Sequence, residues 1–311
     1  NTEFGYTIDS HQRGILNWLI NQNYNINYIC DLDMDEINNI NKTKLLIIGG
    51  HSEYWTMKAR HNLESIIING TNVLSLSGNT LFCCVDYADN NTKMVCIKEK
   101  QKIELLKENI KMQKDFSNTM QFCSIENNYQ KLLPFYILGV DYLIGGYGKC
   151  NSSEILPYYN IVMDKNNVLL KALHNDKIYL NYDEFDGIYT NIKHINEVNS
   201  QFDVSNIMEI EDINSVLNKL ELHKQSYSIF KYKKLIMCGI IEHPSASGII
   251  KRFSGIIAVK KNDTSGIILN MCCMDWCHSI CFDSDVSGKD IKILTKNSID
   301  ILSGDGNKIF D

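Results

Sequence analysis

Between residues 44 and 79 the sequence runs strand, capped helix, strand, with only glycines and short polar turns between them. Lys44-Leu45-Leu46-Ile47-Ile48 is a largely apolar run closed by Gly49-Gly50, the pattern of a parallel strand buried on both faces. Thr56 is placed to cap a helix reaching about Asn69, because its hydroxyl can accept from an N–H of the first turn. Gly70 is the stop signal. Residues 72–76 form the next apolar strand, broken by Ser77-Gly78-Asn79. Strand and helix in alternation predict parallel pairing with the helix as crossover. Extended along the chain, this reading predicts an α/β fold with a doubly wound, mainly parallel sheet.

The remaining segments are read in the same way. Residues 14–22 carry Ile15, Leu16, Trp18, Leu19 and Ile20 and predict a short amphipathic helix. Residues 24–29 read as a short strand and residues 31–36, rich in Asp, as a helix start. Residues 93–98 read as a strand. Residues 132–140 lead into Gly145-Gly146-Tyr147-Gly148, read as a loop, and residues 210–220 as a helix. In the last third, residues 234–241, 254–259 and 265–271 are strand-like, and residues 289–302 read as a closing helix anchored by Ile291, Leu294 and Leu302. A chain of 311 residues can bury a substantial core. With no internal repeat and no low-complexity linker, it is read as a single α/β domain over 1–311, with a divergent insertion at about 90–230.

Charge and cysteine content narrow the function classes. A net charge of −6 argues against a nucleic-acid binder, which would show a basic patch or stripe. No apolar run approaches the ~20 residues of a membrane span. Asn1 to Ser10 is polar and lacks the apolar core of a signal peptide. Eleven cysteines, an odd number, then read as reduced, mostly buried thiols, and the expected location is cytoplasmic.

Chemistry is concentrated at Gly49-Gly50-His51-Ser52-Glu53-Tyr54-Trp55-Thr56, just past the end of the first parallel strand. Open α/β sheets bind ligands in the crevice at such strand ends. His51 and Glu53, two residues apart in an extended turn, can reach one point, and an imidazole with a carboxylate suits metal ligation or acid–base work. The same residues also read as a turn that caps the next helix. Ser77 and Asn79 end the adjacent strand, so they can face His51 and Glu53 across the crevice. Positions 75–79 lack the full G-x-S-x-G of a nucleophile elbow, which favours a binding turn over a serine nucleophile. His243, in Glu242-His243-Pro244-Ser245, is a second candidate for the crevice and also reads as an exposed turn. The segment from Met271 to Cys281 lacks the paired spacing of a zinc knuckle, and no His or Asp is arranged in sequence to make Cys83 or Cys84 a nucleophile.

At these residues the sequence resembles the large (beta) subunit of N,N-dimethylformamidase and its relatives, through its C-terminal catalytic-type domain. The resemblance lies in His51-Ser52-Glu53-Tyr54-Trp55-Thr56, then Arg60, Glu64, Gly70 and Ser77-Gly78-Asn79. It extends back to Trp18-Leu19, Tyr24, Tyr28 and Asp31-Leu32-Asp33, and returns more weakly at Ser265-Gly266, Met274-Asp275-Trp276 and Leu294-Thr295-Lys296-Asn297. Between 90 and 230 only Gly139-Val140 and Gly145-Gly146 match. The resemblance implies a class I glutamine-amidotransferase-like fold and hydrolysis of an amide C–N bond at an iron held by tyrosines and a glutamate. Carried onto this chain, Glu53 is the glutamate ligand, His51 the neighbouring acid–base histidine, and Tyr6 the one tyrosine before the first helix. A second tyrosine has no clear counterpart, which leaves zinc as the alternative metal. Asn79 would hydrogen-bond the developing oxyanion, and Tyr54, Ser77 and His243 would line the substrate. The expected partners are a small amide and a homo-oligomer or larger assembly. Two readings stay open: a metal-dependent amidohydrolase, and a non-catalytic ligand- or partner-binding module of the same fold. A glutaminase-type cysteine enzyme ranks third, because no thiol stands at the elbow.

Overall fold

The structure is a computed structural model that describes residues 10–36, 38, 40, 42–96, 122, 126–127, 130–131, 134–147, 157–180, 184–188, 232–244, 251–281 and 286–311. In chain order, helix α1 (Ser10–Asn21) precedes strands β1 (Leu45–His51) and β2 (Tyr54–Thr56). Helix α2 (Met57–Ile68) follows, then β3 (Asn72–Gly78), β4 (Cys83–Ala88) and β5 (Lys93–Val95). The middle contributes a small hairpin of β6 (Glu126–Asn127) and β7 (Gln130–Lys131), helix α3 (Phe135–Leu138), and strands β8 (Asp141–Tyr147), β9 (Tyr158–Ile161), β10 (Lys177–Tyr179) and β11 (Glu184–Gly187). Strands β12 (Lys234–Pro244), β13 (Lys251–Lys260) and β14 (Ile267–Asn270) and helices α4 (Trp276–Ser279) and α5 (Val286–Ser303) complete the order.

The β1–α2–β3 unit forms as its sequence predicts. Thr56 Oγ1 accepts from the Ala59 N–H at 2.9 Å, which starts α2. Ala59, Leu63, Ile66 and Ile67 fall on one face of that helix and are buried. Strands β1 and β3 pair in parallel, from Leu45 opposite Asn72 to His51 opposite Gly78. Both faces of this part of the sheet are covered. Leu46, Ile48 and Val73 join the α2 residues in one cluster. Leu74, Leu76 and Leu269 join Ile15 and Leu19 of α1 and Ile291, Leu294 and Leu302 of α5 in the other.

The doubly wound, mainly parallel sheet expected from this unit does not continue. Among the described residues, nine strands form one mixed sheet in the order β1-β3-β14-β13-β12-β9-β10, with β11 joining β13 to β8. Only β1, β3 and β14 run parallel. Strands β12 with β13, β13 with β14, β12 with β9, and β9 with β10 are antiparallel. The physical reason is the length of the connections. Residues 245–250 and 261–266 separate successive strands, whereas a parallel crossover needs a dozen residues or more. The fold is therefore a mixed, mostly β architecture with few helices, and the glutamine-amidotransferase-like expectation is overturned.

Two local expectations also change, and residues 132–140, given no element in sequence, gain one. Residues 24–29 hold no strand; Tyr24 instead donates its hydroxyl to Asp300 of α5 at 2.9 Å. Residues 132–140 include the single-turn helix α3, which ends at Gly139 in the left-handed region (φ +78°). Gly145-Gly146 is strand rather than loop. A Cβ on Gly145 would stand 1.9 Å from the Phe185 carbonyl oxygen, so glycine lets the β11 backbone close on β8. The helix read at 210–220 lies outside the described residues.

Candidate active site

Strands β1 and β3 end side by side, as the predicted site requires. Gly50 adopts φ +78°, and after His51 the chain leaves the main sheet. Residues 54–56 pair in parallel with β4, Tyr54 opposite Cys83 and Thr56 opposite Val85. Backbone bonds knit the two loops together: Leu81 N donates to Ser52 O and Cys83 N to Glu53 O, both at 2.9 Å. Trp55 Nε1 donates to the Ser52 carbonyl at 2.9 Å and to its hydroxyl at 3.1 Å. Asn79 and Leu81 both sit in the left-handed region, at φ +53° and +59°. Asn tolerates that region; for Leu it costs roughly 1–2 kcal/mol. Complete burial of Leu81 and its bond to Ser52 hold it there.

This backbone brings three predicted residues together. His51 Nε2 lies 3.4 Å from Glu53 Oε2 and 3.3 Å from Asn79 Nδ2. Glu53 and Asn79 are 4% and 5% exposed, while the His51 side chain is 28% exposed. The imidazole is thus the solvent-facing member, with a buried carboxylate and a buried amide behind it. One nitrogen cannot accept from the amide and donate to the carboxylate at the same time. Neutral His51 with its proton on Nδ1 accepts from Asn79; protonated at Nε2, it donates to Glu53. The Tyr54 ring stands edge-on to His51, with centroids 6.2 Å apart.

Other predicted residues are placed differently. Ser77 is buried, and its hydroxyl accepts from the Ser52 N–H at 3.2 Å, so it organises the turn behind the imidazole. His243 is not in an exposed turn. It belongs to β12, opposite Arg252, and is buried. Its Nε2 lies 2.6 Å from Ser254 Oγ, and its ring stacks on Phe185 at 5.0 Å. Long antiparallel pairing with β13 carries the strand through His243 to Pro244, which the sequence read as part of a loop. Tyr6 lies outside the described residues. Among those described, no three His, Cys, Asp or Glu side chains gather as a metal site.

Two further residues belong to the site, one read in another role from sequence and one, Asp186, not singled out. Cys83 was weighed only as a nucleophile. Its thiol donates to Glu53 Oε1 at 3.1 Å. Hydrogen bonding to Cys96, burial and the Glu53 carboxylate all push that thiol up, far from a reactive thiolate. Asp186 is fully buried, and each of its carboxylate oxygens lies 3.3 Å from the Thr80 N–H. Burial pushes its carboxyl up to about 7; the N–H groups of Thr80 and Asn79 oppose the rise, and Asp141 adds to it. Its sequence signal was faint, one acid in Glu184-Phe185-Asp186-Gly187 within a stretch whose pairing could not be read.

No helix among the described residues is long and apolar enough to cross a membrane. No curated protein matches the chain. Residues 4–154 match the family model described as N,N-dimethylformamidase beta subunit-like, C-terminal. The part of the chain that carries His51, Glu53 and Asn79 is therefore similar to that amide-hydrolase family, the one suspected from those same residues.

Proposed function

We propose that this chain hydrolyses the C–N bond of a small amide at the junction of His51, Glu53 and Asn79. The observation that carries the reading is the partly exposed His51 imidazole, whose Nε2 is set between a buried carboxylate and a buried amide, within the span that matches the family. In the reaction, water adds to the carbonyl carbon, and the carbonyl π electrons move onto oxygen. The C–N bond then breaks, and the nitrogen leaves as an amine after taking up a proton. His51 is the residue for both transfers: it accepts a proton from the attacking water and returns it to the departing nitrogen. Glu53 stabilises the imidazolium between these steps. Asn79 Nδ2 is the donor for the developing oxyanion, a role worth roughly 10²–10³ in rate where donors of this kind have been removed. Tyr54 forms a wall beside the imidazole, suited to small alkyl groups on the substrate.

On this reading the resemblance implies an iron, which these residues would have to hold. A buried carboxylate beside an imidazole is a donor set that fits a hard cation, and Glu53 with Tyr6 would hold it. Bound there, the metal supplies a Lewis acid that polarises the carbonyl or lowers the pKa of a water. Zinc is the alternative.

The test is amine release from a panel of small amides by the wild type, His51→Ala and Glu53→Gln, with metal content measured in parallel by inductively coupled plasma mass spectrometry. Turnover that falls at least 100-fold in both variants, with circular dichroism unchanged, supports the reading. Turnover that survives in Glu53→Gln overturns it. An absence of both metal and turnover in the wild type replaces it with a binding module of the same fold.

A further inference from the structure

We propose that Asp186 is a positioning residue whose carboxylate clamps the Asn79–Thr80 turn and so presents the Asn79 side chain to His51. The catalytic meaning of the clamp rests on the amide-hydrolase reading above, while the clamp itself is independent of it. The left-handed conformation of Asn79 turns successive backbone N–H groups to one side, and such a concavity binds anions. Here the anion is internal. Thr80 N is 3.3 Å from both Asp186 oxygens, and the Asn79 N–H favours the charged form of the same carboxylate.

Asp186 is itself fixed from elements outside the β1–α2–β3 unit. Its N–H donates to Cys272 O at 3.1 Å, and Phe185 beside it bridges to Cys273. Gly145 lets β8 close against this strand, and the His243 ring stacks on Phe185. The titratable groups that face the carboxylate are Asp141 on β8, Tyr159 on β9 and Cys272.

Asn79 needs such a clamp. Its side chain is almost wholly buried, yet among the described residues Oδ1 has no hydrogen-bond partner. The amide is oriented by its backbone and by His51 rather than by a full set of its own bonds. Oδ1 is thus a buried acceptor left without a bond, and the backbone turn has to hold the amide in place. Asp186 lies too deep to touch substrate and acts through the turn. When protonated it accepts through its carbonyl oxygen alone and loses the charge-assisted part of the bond. Its carboxyl is raised to about 7, so the clamp loosens below neutrality and tightens above it.

The experiment is ¹H–¹⁵N NMR of the full chain from pH 5 to 9, wild type against Asp186→Asn, combined with steady-state kinetics. The expected result is a step in the Thr80 and Asn79 amide shifts with a midpoint near pH 7 in the wild type and no step in the variant. At pH 8 the variant should lose about tenfold in kcat with KM changed less than twofold, as expected for a misplaced catalytic group. A flat Thr80 amide in the wild type overturns the clamp without needing the variant to fold. An unchanged kcat in a folded variant overturns the positioning role. If the wild type hydrolyses no amide, the hydrolase reading fails separately. Positioning is then decided by the His51 Nε2 shift at pH 8, which must differ between wild type and variant.

Discussion

Replacing Asp186 by Asn should flatten the way the stability of the fold changes between pH 5 and 8. In the unfolded chain an aspartate titrates at its ordinary value of 3.8, and in the folded chain burial raises Asp186 to about 7. Between those values the folded state holds a proton that the unfolded state has released. Stability from this group is therefore fully present below the unfolded value and is lost as pH rises through the folded one. About three pKa units at 1.36 kcal/mol each amount to roughly 4 kcal/mol over the full range. The part falling between pH 5 and 8 is about 2.5 kcal/mol. Urea unfolding followed by tryptophan fluorescence at pH 5, 6, 7 and 8 gives the curve for each protein, and carboxylates common to both cancel in the difference. The wild type should lose about 2.5 kcal/mol more than the variant across that span. Curves that stay parallel to within about 0.5 kcal/mol would show that the buried charge is compensated in some other way, and the argument would fail.

Three further perturbations test the packing. Gly145→Ala places a methyl 1.9 Å from the Phe185 carbonyl, so β11 must shift; a loss of roughly 1–3 kcal/mol in thermal unfolding is expected, with the Thr80 amide shift moving alongside. Leu63→Ala, in the fully buried face of α2, should cost about 2–5 kcal/mol by chemical denaturation with no direct contact to the site. In the native state iodoacetamide should label Cys30 and Cys281, which are exposed, and leave Cys83, Cys84 and Cys272 unlabelled until urea is added, as read by peptide mass spectrometry.

How much of this molecule could be read from the chain depended on the range of the interaction involved. The Thr56 cap, the apolar face of α2 and the two apolar strands are local features, and all appear where periodicity placed them. The junction of His51 with Asn79 followed from them. Once a helix of known length connects two parallel strands, their carboxyl ends are neighbours, and the observed register puts His51 opposite Gly78. The extrapolation from this unit to the whole sheet failed because strand direction in the last third is dictated by six-residue connections, not by apolar runs. Arg60 and Glu64 illustrate a different limit. They belong to the pattern that carries the family resemblance, yet their contacts are structural, Arg60 lying over the Phe122 ring and Glu64 accepting from Lys261 at 3.0 Å.

What the amino-acid sequence determined by itself was therefore the β1–α2–β3 unit and the presence of an imidazole, a carboxylate and an amide at its open end. Each depends on contacts within some 35 residues, where side-chain periodicity and caps leave little choice. Only the tertiary structure decided that Asp186, 106 residues beyond Thr80, closes over that end, and that Gly145 is a contact rather than a turn. It also decided that His243 stands behind the site in a strand. Each of these rests on one strand crossing another at close range. The residues concerned carry no local periodicity, because what selects them is a carbonyl, a ring or a pair of N–H groups from a distant part of the chain.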